Sequence, residues 1–246
     1  MPKKNHRRRY RFLVFAKDKP GLIEALAFLR PHAASIKVFV GDVGDPFPRK
    51  ARLIKADFII SYISPWIIPG EVLSRASIAA LNFHPGPPEY PGIGCTNFAL
   101  YDRCREFGVT AHHMVEKVDT GSIVAVQRFP LQSSDTVASL TERCYRHILR
   151  LFKDLFGGFF SSGRLPDCSA VWARRPFRRA ELDALCRISP EMAREEVARR
   201  VLATSFPGKP GPYVIIQGHR FEYAAACPPA AARFSRRRVS RRGLLI

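Results

Sequence analysis

Apolar residues fall in short dense runs along this chain, separated by single amphipathic segments. "RFLVFA" (11–16), "SIKVFVGD" (35–42), "DFIISYI" (57–63) and "SIAALNF" (77–83) have the length and composition of buried strands. Between the first two, "GLIEALAFLR" (21–30) sets Leu22, Leu26 and Leu29 on one helical face until Pro31 stops it. A strand, helix, strand unit of this kind makes a parallel sheet with a right-handed crossover. The segment "SPWIIPGEVLSRA" between the third and fourth runs has room for a short helix in its second half. The pattern predicts an α/β fold: a Rossmann-like, doubly wound, mostly parallel sheet over 11–127 with helices on both faces.

Further along, "NFALYDRCREFG" (97–108) reads as a helix closed by Gly108, and "VTAHHMV" and "SIVAVQRFPL" read as strands around "EKVDTG". A long helix is predicted over 136–156, where Val137, Leu140, Cys144, Ile148, Leu151 or Phe152, and Leu155 recur every three or four residues. Asp135 is placed to cap it, and "GGFFSSG" to end it. From about residue 165 the chain turns Arg-rich and irregular. One helix is signalled there by Ser189 and Pro190, and "PYVIIQGHRFEYAAA" (212–226) reads as a hairpin turning at Gly218. The expected organisation is a basic tail over 1–10, a catalytic domain over 11–163, a helix-plus-hairpin subdomain over 164–230 and a second basic tail over 231–246.

Charge changes this picture less than its size suggests. The formal net charge is +19. Twelve of the forty cationic residues, however, lie in the first eleven or last fourteen positions, which leaves 28 basic against 21 acidic residues, a net +7, in the body. Solvated tails are the expected reading, with nucleic acid reached through those tails as the less favoured one. Six cysteines (Cys95, Cys104, Cys144, Cys168, Cys186, Cys227) show no C-x-x-C spacing, so neither a zinc site nor a disulfide framework is expected, and a reducing cytoplasm fits best. The apolar stretch after the basic start is broken by Lys17, Asp18 and Lys19, too soon for a signal-peptide core, and no apolar run is long enough to cross a bilayer.

The chemistry concentrates in "LNFHPGPPEYPGIGC" (81–95), a strand running into a loop with four prolines and three glycines after its histidine. Asn82 and His84, two apart, project from one face, while Leu81 and Phe83 point the other way into the core. Ligand sites of open α/β sheets lie beyond the carboxyl ends of strands. An amide donor and an imidazole there suit acyl transfer: Asn82 can hold a developing oxyanion, and His84 can do the same when protonated or accept a proton when neutral. Asp119 of "VDTG" completes the set if that turn returns to the same place. His112 and His113 are read as structural, and Cys95 as packing.

These stretches resemble a family, the folate-dependent formyltransferases. The resemblance rests on "ISPWIIP", "LNFHPGPPEYPGIG", "GVTAHHMVEKVDTGSIV" and their spacing, with D-T-G beginning 37 residues after the Asn of N-x-H-P. It covers about 57–127 and continues more weakly to about 225. It implies transfer of a formyl group from N10-formyltetrahydrofolate to an amine, without a metal. Asn82, His84 and Asp119 would be catalytic, Trp66, Ile67 and Ile68 would line the pteridine pocket, and the backbone of Val115, Glu116, Lys117 and Val118 would face the pteridine's polar edge.

Departures from the family narrow the acceptor. The loop after the first strand is "AKDKPG", unlike the Gly-Ser-rich phosphate loop of glycinamide ribonucleotide transformylase. About 40 residues follow Phe206, too few for the tRNA-binding barrel of methionyl-tRNA formyltransferase. The expectation is a nucleotide-linked amino sugar, a 4-amino-4-deoxy hexose for surface polysaccharide such as O-antigen. Lys17 and Lys19, or arginines between 174 and 179, would meet its diphosphate, and Tyr90 would stack on base or sugar. A homodimer is compatible with this reading. An RNA-directed formyltransferase and a non-catalytic folate-binding protein stay open beside it.

Overall fold

The computed structural model describes residues 8–224, so most of both basic tails and Cys227 lie outside it. A six-stranded mixed sheet organises the chain in the order β2-β1-β3-β4-β5-β6. Its strands are β1 (Tyr10–Ala16), β2 (Ala33–Val40), β3 (Ala56–Tyr62), β4 (Ala76–His84), β5 (Glu106–His113) and β6 (Ile123–Pro130). The first four run parallel, and β5 and β6 are antiparallel to their neighbours. Every residue of the central β3 is buried, as a parallel strand covered on both faces requires.

Alternation along the strands splits the core into two layers. Phe12, Val14, Phe58, Ile60, Leu81 and Phe83 face α1 (Leu22–Leu29) and α4 (Val137–Ser162), where they meet Phe152, Phe156 and Phe159. Leu13, Phe15 and Ile59 face a second, smaller layer closed by α2 (Gly70–Leu73), Ala51 and Ile68. Asn82 and His84 share the sheet face of this smaller layer, opposite Leu81 and Phe83.

Several boundaries differ from the sequence expectation. α3 covers Cys95–Tyr101 and stops well before Gly108, which lies inside β5 and pairs with Arg128. α4 is capped by Thr136 in a reciprocal box with Ser139, while Asp135 accepts from the Ser139 hydroxyl at 2.9 Å and pairs with Arg143. It also runs through Gly157 and Gly158 to Ser162, because Phe156, Phe159 and Phe160 keep packing on Tyr10 and Phe12. α5 (Arg179–Cys186) had no strong signal, and the helix expected at Ser189 begins at Arg194 as α6 (Arg194–Thr204). α6 docks on α3 through Tyr101 to Glu196 at 2.8 Å and Asn97 to the Ala203 carbonyl at 2.8 Å. The hairpin of β7 (Tyr213–Ile216) and β8 (His219–Glu222) turns at Gln217-Gly218, both at positive φ. Among the described residues no helix is long and apolar enough to cross a membrane.

Candidate active site

β2 lies on one side of β1 and β3 on the other, so the chain reverses direction across the sheet between β1 and β3. A crevice forms at such a point, outside the carboxyl ends of the strands. Here the segments that leave β1 (Lys17), β3 (Ile63 to Ile68) and β4 (from Pro85) surround a cleft of about 820 Å3. Ile63 leaves β3 with φ of 54°, a conformation that costs a β-branched residue on the order of 1–3 kcal/mol and that turns "SPWII" over the cleft.

β4 pairs antiparallel with β5, and the register sets Asn82 opposite His112 and His84 opposite Thr110. After β5 the chain returns through "VDTG", and Asp119, at φ of 47°, aims its carboxylate at Asn82, His84 and His112. Gly121 makes that return possible. A Cβ there would stand 1.9 Å from the His113 carbonyl oxygen, so no larger residue allows the turn to lie this close to β5.

Asp119 is the hub. It accepts from the Asn82 amide Nδ2 at 3.2 Å and the Gly92 backbone N–H at 2.8 Å, and stands 3.1 Å from His112 Nε2 and 3.2 Å from His84 Nδ1. Burial on its own would raise this carboxyl. The positive charge of His84, then the hydrogen bond and charge of His112 and the Gly92 amide, reverse that and hold it at about 2. His84 also donates from Nε2 to the Tyr90 carbonyl at 2.9 Å, so both its nitrogens face acceptors, a pattern that an imidazolium satisfies. His112 is the same case, with Nδ1 donating to the His113 carbonyl at 2.8 Å and Nε2 toward Asp119. His112, read from sequence as structural, therefore stands in the site. Only its register against Asn82, which no single-sequence pattern reveals, put it there.

The proline-rich loop is rigid for a specific reason. Prolines have no N–H, so this loop offers mainly carbonyls, and these are taken up one by one. Pro85 accepts from Cys95 Sγ, Pro87 from the Tyr90 N–H, Pro88 from the Ala173 N–H and Pro91 from the Phe177 N–H. The last two come from the segment after α4, which lies along the loop and bridges Gly92 to Phe177. Cys95 is buried, and its thiol is pushed up to about 12, mainly by desolvation, which leaves it inert as a nucleophile.

Of the other residues singled out in the sequence, Trp66, Ile67, Ile68, Val115, Lys117, Val118 and Lys17 line the cleft. The Trp66 indole is fixed by its N–H to the Asp45 carbonyl at 2.9 Å and by edge contacts with Phe15 and Phe47. Glu116 turns its carboxylate over Gly70 and is not among the residues that line the cleft. Lys19 does not reach the lining, although it bears on Lys17, whose ammonium is shifted down by partial burial. Tyr90 requires a correction: the residue is 8% exposed, its ring is stacked at 10° on Phe177 and packed on Phe107, and it does not line the cleft, so the ring is not presented to a ligand there. Its contribution is the backbone carbonyl that holds His84. The buried Ser61, register partner of Asn82, also lines the cleft. So do Arg175, Arg178 and Arg179. Arg175 is held by Glu181 at 2.7 Å, whereas Arg178 and Arg179 form no ion pair among the described residues. No group of three or more His, Cys, Asp or Glu side chains among the described residues is arranged to hold a metal ion.

Residues 45–150 match the family described as formyl transferase. The methionyl-tRNA formyltransferase of Listeria welshimeri is 28% identical over 109 residues, 44% of this chain and 35% of that protein. The chain thus spans about a third of the length of such curated relatives. A sugar N-formyltransferase from a Shewanella species superposes with a TM-score of 0.69 at 16% identity, over 89% of this chain and 99% of that one. The N-formyltransferase from Helicobacter canadensis, solved with folinic acid and dTDP-3-aminofucose, gives 0.66 at 18% identity over 84% of each chain. Identities this low establish the fold, and the fold is that of the N-formyltransferases.

Proposed function

We propose that this chain, which carries a formyl transferase domain on the formyltransferase fold, transfers a formyl group from N10-formyltetrahydrofolate to the amine of a nucleotide-linked amino sugar, a 4-amino-4-deoxy hexose of a surface polysaccharide. The observation that carries the reading is the convergence of Asn82, His84 and His112 on the Asp119 carboxylate at the floor of the cleft. Two supports stand beside it. The cleft has the size of a cofactor site, about 300–1,000 Å3, and the flat Trp66, with Ile63 and Ile68, suits a pteridine. Arg178, Arg179 and Lys17 on its lining suit a diphosphate.

The folate supplies the formyl group, and the chain's residues do the rest. Asn82 is oriented by Asp119, because an amide nitrogen beside a carboxylate must donate to it. When His112 keeps its Nε2 proton and donates that hydrogen bond to Asp119, Nε2 cannot accept from Asn82, and the second Asn82 N–H is left for the cleft, where it holds the charge developing on the formyl oxygen. When His84 is protonated, as acceptors at both its nitrogens allow, its charge acts at the same place. As the C–N bond to the folate breaks, a protonated His84 would give its proton to the departing folate nitrogen, and the resulting neutral imidazole, held by Asp119, would take up the proton that leaves the amine. Trp66, Ile67, Ile68 and the Val115–Val118 backbone orient the donor and keep water from it.

The 28% identity to a methionyl-tRNA formyltransferase favours a second reading, transfer to a charged tRNA. One assay separates the two: incubation with formyltetrahydrofolate and either nucleotide amino sugars or methionyl-tRNA, followed by mass measurement of the added formyl group. A gain on tRNA alone, falling steeply with salt, overturns the sugar reading. Binding is tested separately. A reduced folate at a hundred times its Kd is expected to add about 2.7 kcal/mol, raising the unfolding midpoint by about 5 to 10 °C and changing Trp66 emission. An unmoved midpoint and unchanged emission at saturation exclude the folate site.

A further inference from the structure

We infer that Trp172 is a positioning residue for this reaction, holding the His84 and His112 imidazoles in the planes from which they serve Asp119 and Asn82. The inference rests on the formyl-transfer reading for its kinetic consequences and on geometry alone for the rest. Trp172 arrives from the segment between α4 and α5, far along the chain from Asn82, His84, His112 and Asp119, and is outside the cleft lining. It meets the site through the two imidazoles rather than through the cleft wall.

Three contacts define it. The indole N–H donates to the Gly121 carbonyl at 2.8 Å, which pins the "DTG" turn that carries Asp119. The indole stands perpendicular to both imidazoles, 5.0 Å and 84° from His112 and 5.9 Å and 77° from His84. The next residue, Ala173, donates its N–H to the Pro88 carbonyl at 3.0 Å, so the indole is anchored to the proline-rich loop as well.

Hydrogen bonds alone do not supply what this ring supplies. Each imidazole is held at both nitrogens: His84 by Asp119 and the Tyr90 carbonyl, His112 by Asp119 and the His113 carbonyl. Two such bonds, with the covalent tether at Cβ, set the mean plane of each ring, but hydrogen bonds tolerate considerable bending before they weaken steeply, so each ring can still rock about that mean. A single indole set at right angles to both rings blocks that rocking for the pair together. It also adds to the burial of the hub, whose imidazoles and carboxylate are 2–5% exposed, which limits exchange of its protons with water. A misplacement of about 1 Å at a reacting group can cost on the order of 100-fold in rate, so loss of the indole has a large kinetic consequence without touching a substrate.

The test uses the full chain with Trp172→Leu, which fills the space without a ring, and Trp172→Phe, which keeps a perpendicular ring without the N–H. Trp172→Leu is expected to lower kcat about 10- to 100-fold with KM for folate and amine each within about threefold. Trp172→Phe is expected to recover most of that loss. In parallel, the imidazole N–H resonances of His84 and His112 are followed by 15N NMR without substrate. They are expected to persist in the native protein and in Trp172→Phe, and to be lost to solvent exchange in Trp172→Leu. A folded Trp172→Leu protein with unchanged imidazole resonances overturns the inference, as does a kcat within threefold of native. If the native chain transfers no formyl group, the NMR comparison still decides the positioning role, so the two readings fail separately. Should Trp172→Leu not fold, Trp172→Phe decides: imidazole resonances lost in that folded variant would refute the ring's role.

Discussion

Asp119→Asn, with the fold intact, is expected to lower formyl transfer by about 10²- to 10⁴-fold while changing folate affinity far less. An amide in place of the carboxylate removes the charge that His84 and His112 balance and turns an N–H toward groups that are themselves donors. Asn82→Ala and His84→Ala are expected to lower turnover by at least about a hundredfold each, by loss of a donor and of the charge beside it. Because the three act as one unit, the Asn82 and His84 double variant should lose much less than the product of the single losses. Turnover near the native value in Asp119→Asn or in His84→Ala would show that the buried cluster serves packing rather than catalysis. The same carboxyl gives a pH prediction. Its pKa is depressed to about 2 in the folded chain, against about 3.9 unfolded, so its contribution is fully present above about pH 4 and is lost as pH falls through about 2. The amount is on the order of 2–3 kcal/mol. Denaturant titrations of the native chain and Asp119→Asn should therefore differ in stability at pH 6 and converge toward pH 2. A difference that does not change between those values excludes the linkage.

Gly121→Ala is the second large effect. The added methyl would meet the His113 carbonyl oxygen at 1.9 Å, which is backbone and cannot swing aside. That carbonyl also accepts from His112 Nδ1, and the Gly121 carbonyl accepts from Trp172. Relief of the clash has to move the "DTG" turn away from β5, which carries Asp119 off Asn82 and His84. We expect a loss of about 2–3 kcal/mol, or about 5 to 10 °C in the unfolding midpoint, together with a fall in turnover larger than the stability change explains. Gly158→Ala is the control: nothing lies within 4 Å of its Cβ, and in the interior of α4 alanine is the better helix former. A Gly121→Ala protein as stable and active as that control overturns this account.

What the sequence by itself determined is whatever depends on neighbours a few positions away. Period-two alternation assigned Leu81 and Phe83 to one face of β4 and Asn82 and His84 to the other, and the recurrence from Val137 to Leu155 marked the buried stripe of α4. Gly218 marked the turn of the hairpin, which the structure closes with Gln217 and Gly218, both at positive φ. Helix ends were less legible, since Gly157 and Gly158 look like a stop and only the phenylalanines packed on Tyr10 and Phe12 carry the helix past them. The site itself was half visible. Asn82, His84 and Asp119 stood out through motif spacing, but which way Asp119 points was decided by a left-handed backbone at that residue and by the backbone contact at Gly121. Tertiary structure alone decided the rest. Antiparallel pairing of β4 with β5 brought His112 beside Asn82, the return of the chain after α4 set Trp172 against two histidines and Ala173 and Phe177 along the prolines, and close packing on Phe107 and Phe177 buried the Tyr90 ring that had looked free to meet a ligand. These partners are set by strand register and crossover, which hold together residues distant in sequence and so leave no local periodicity to read.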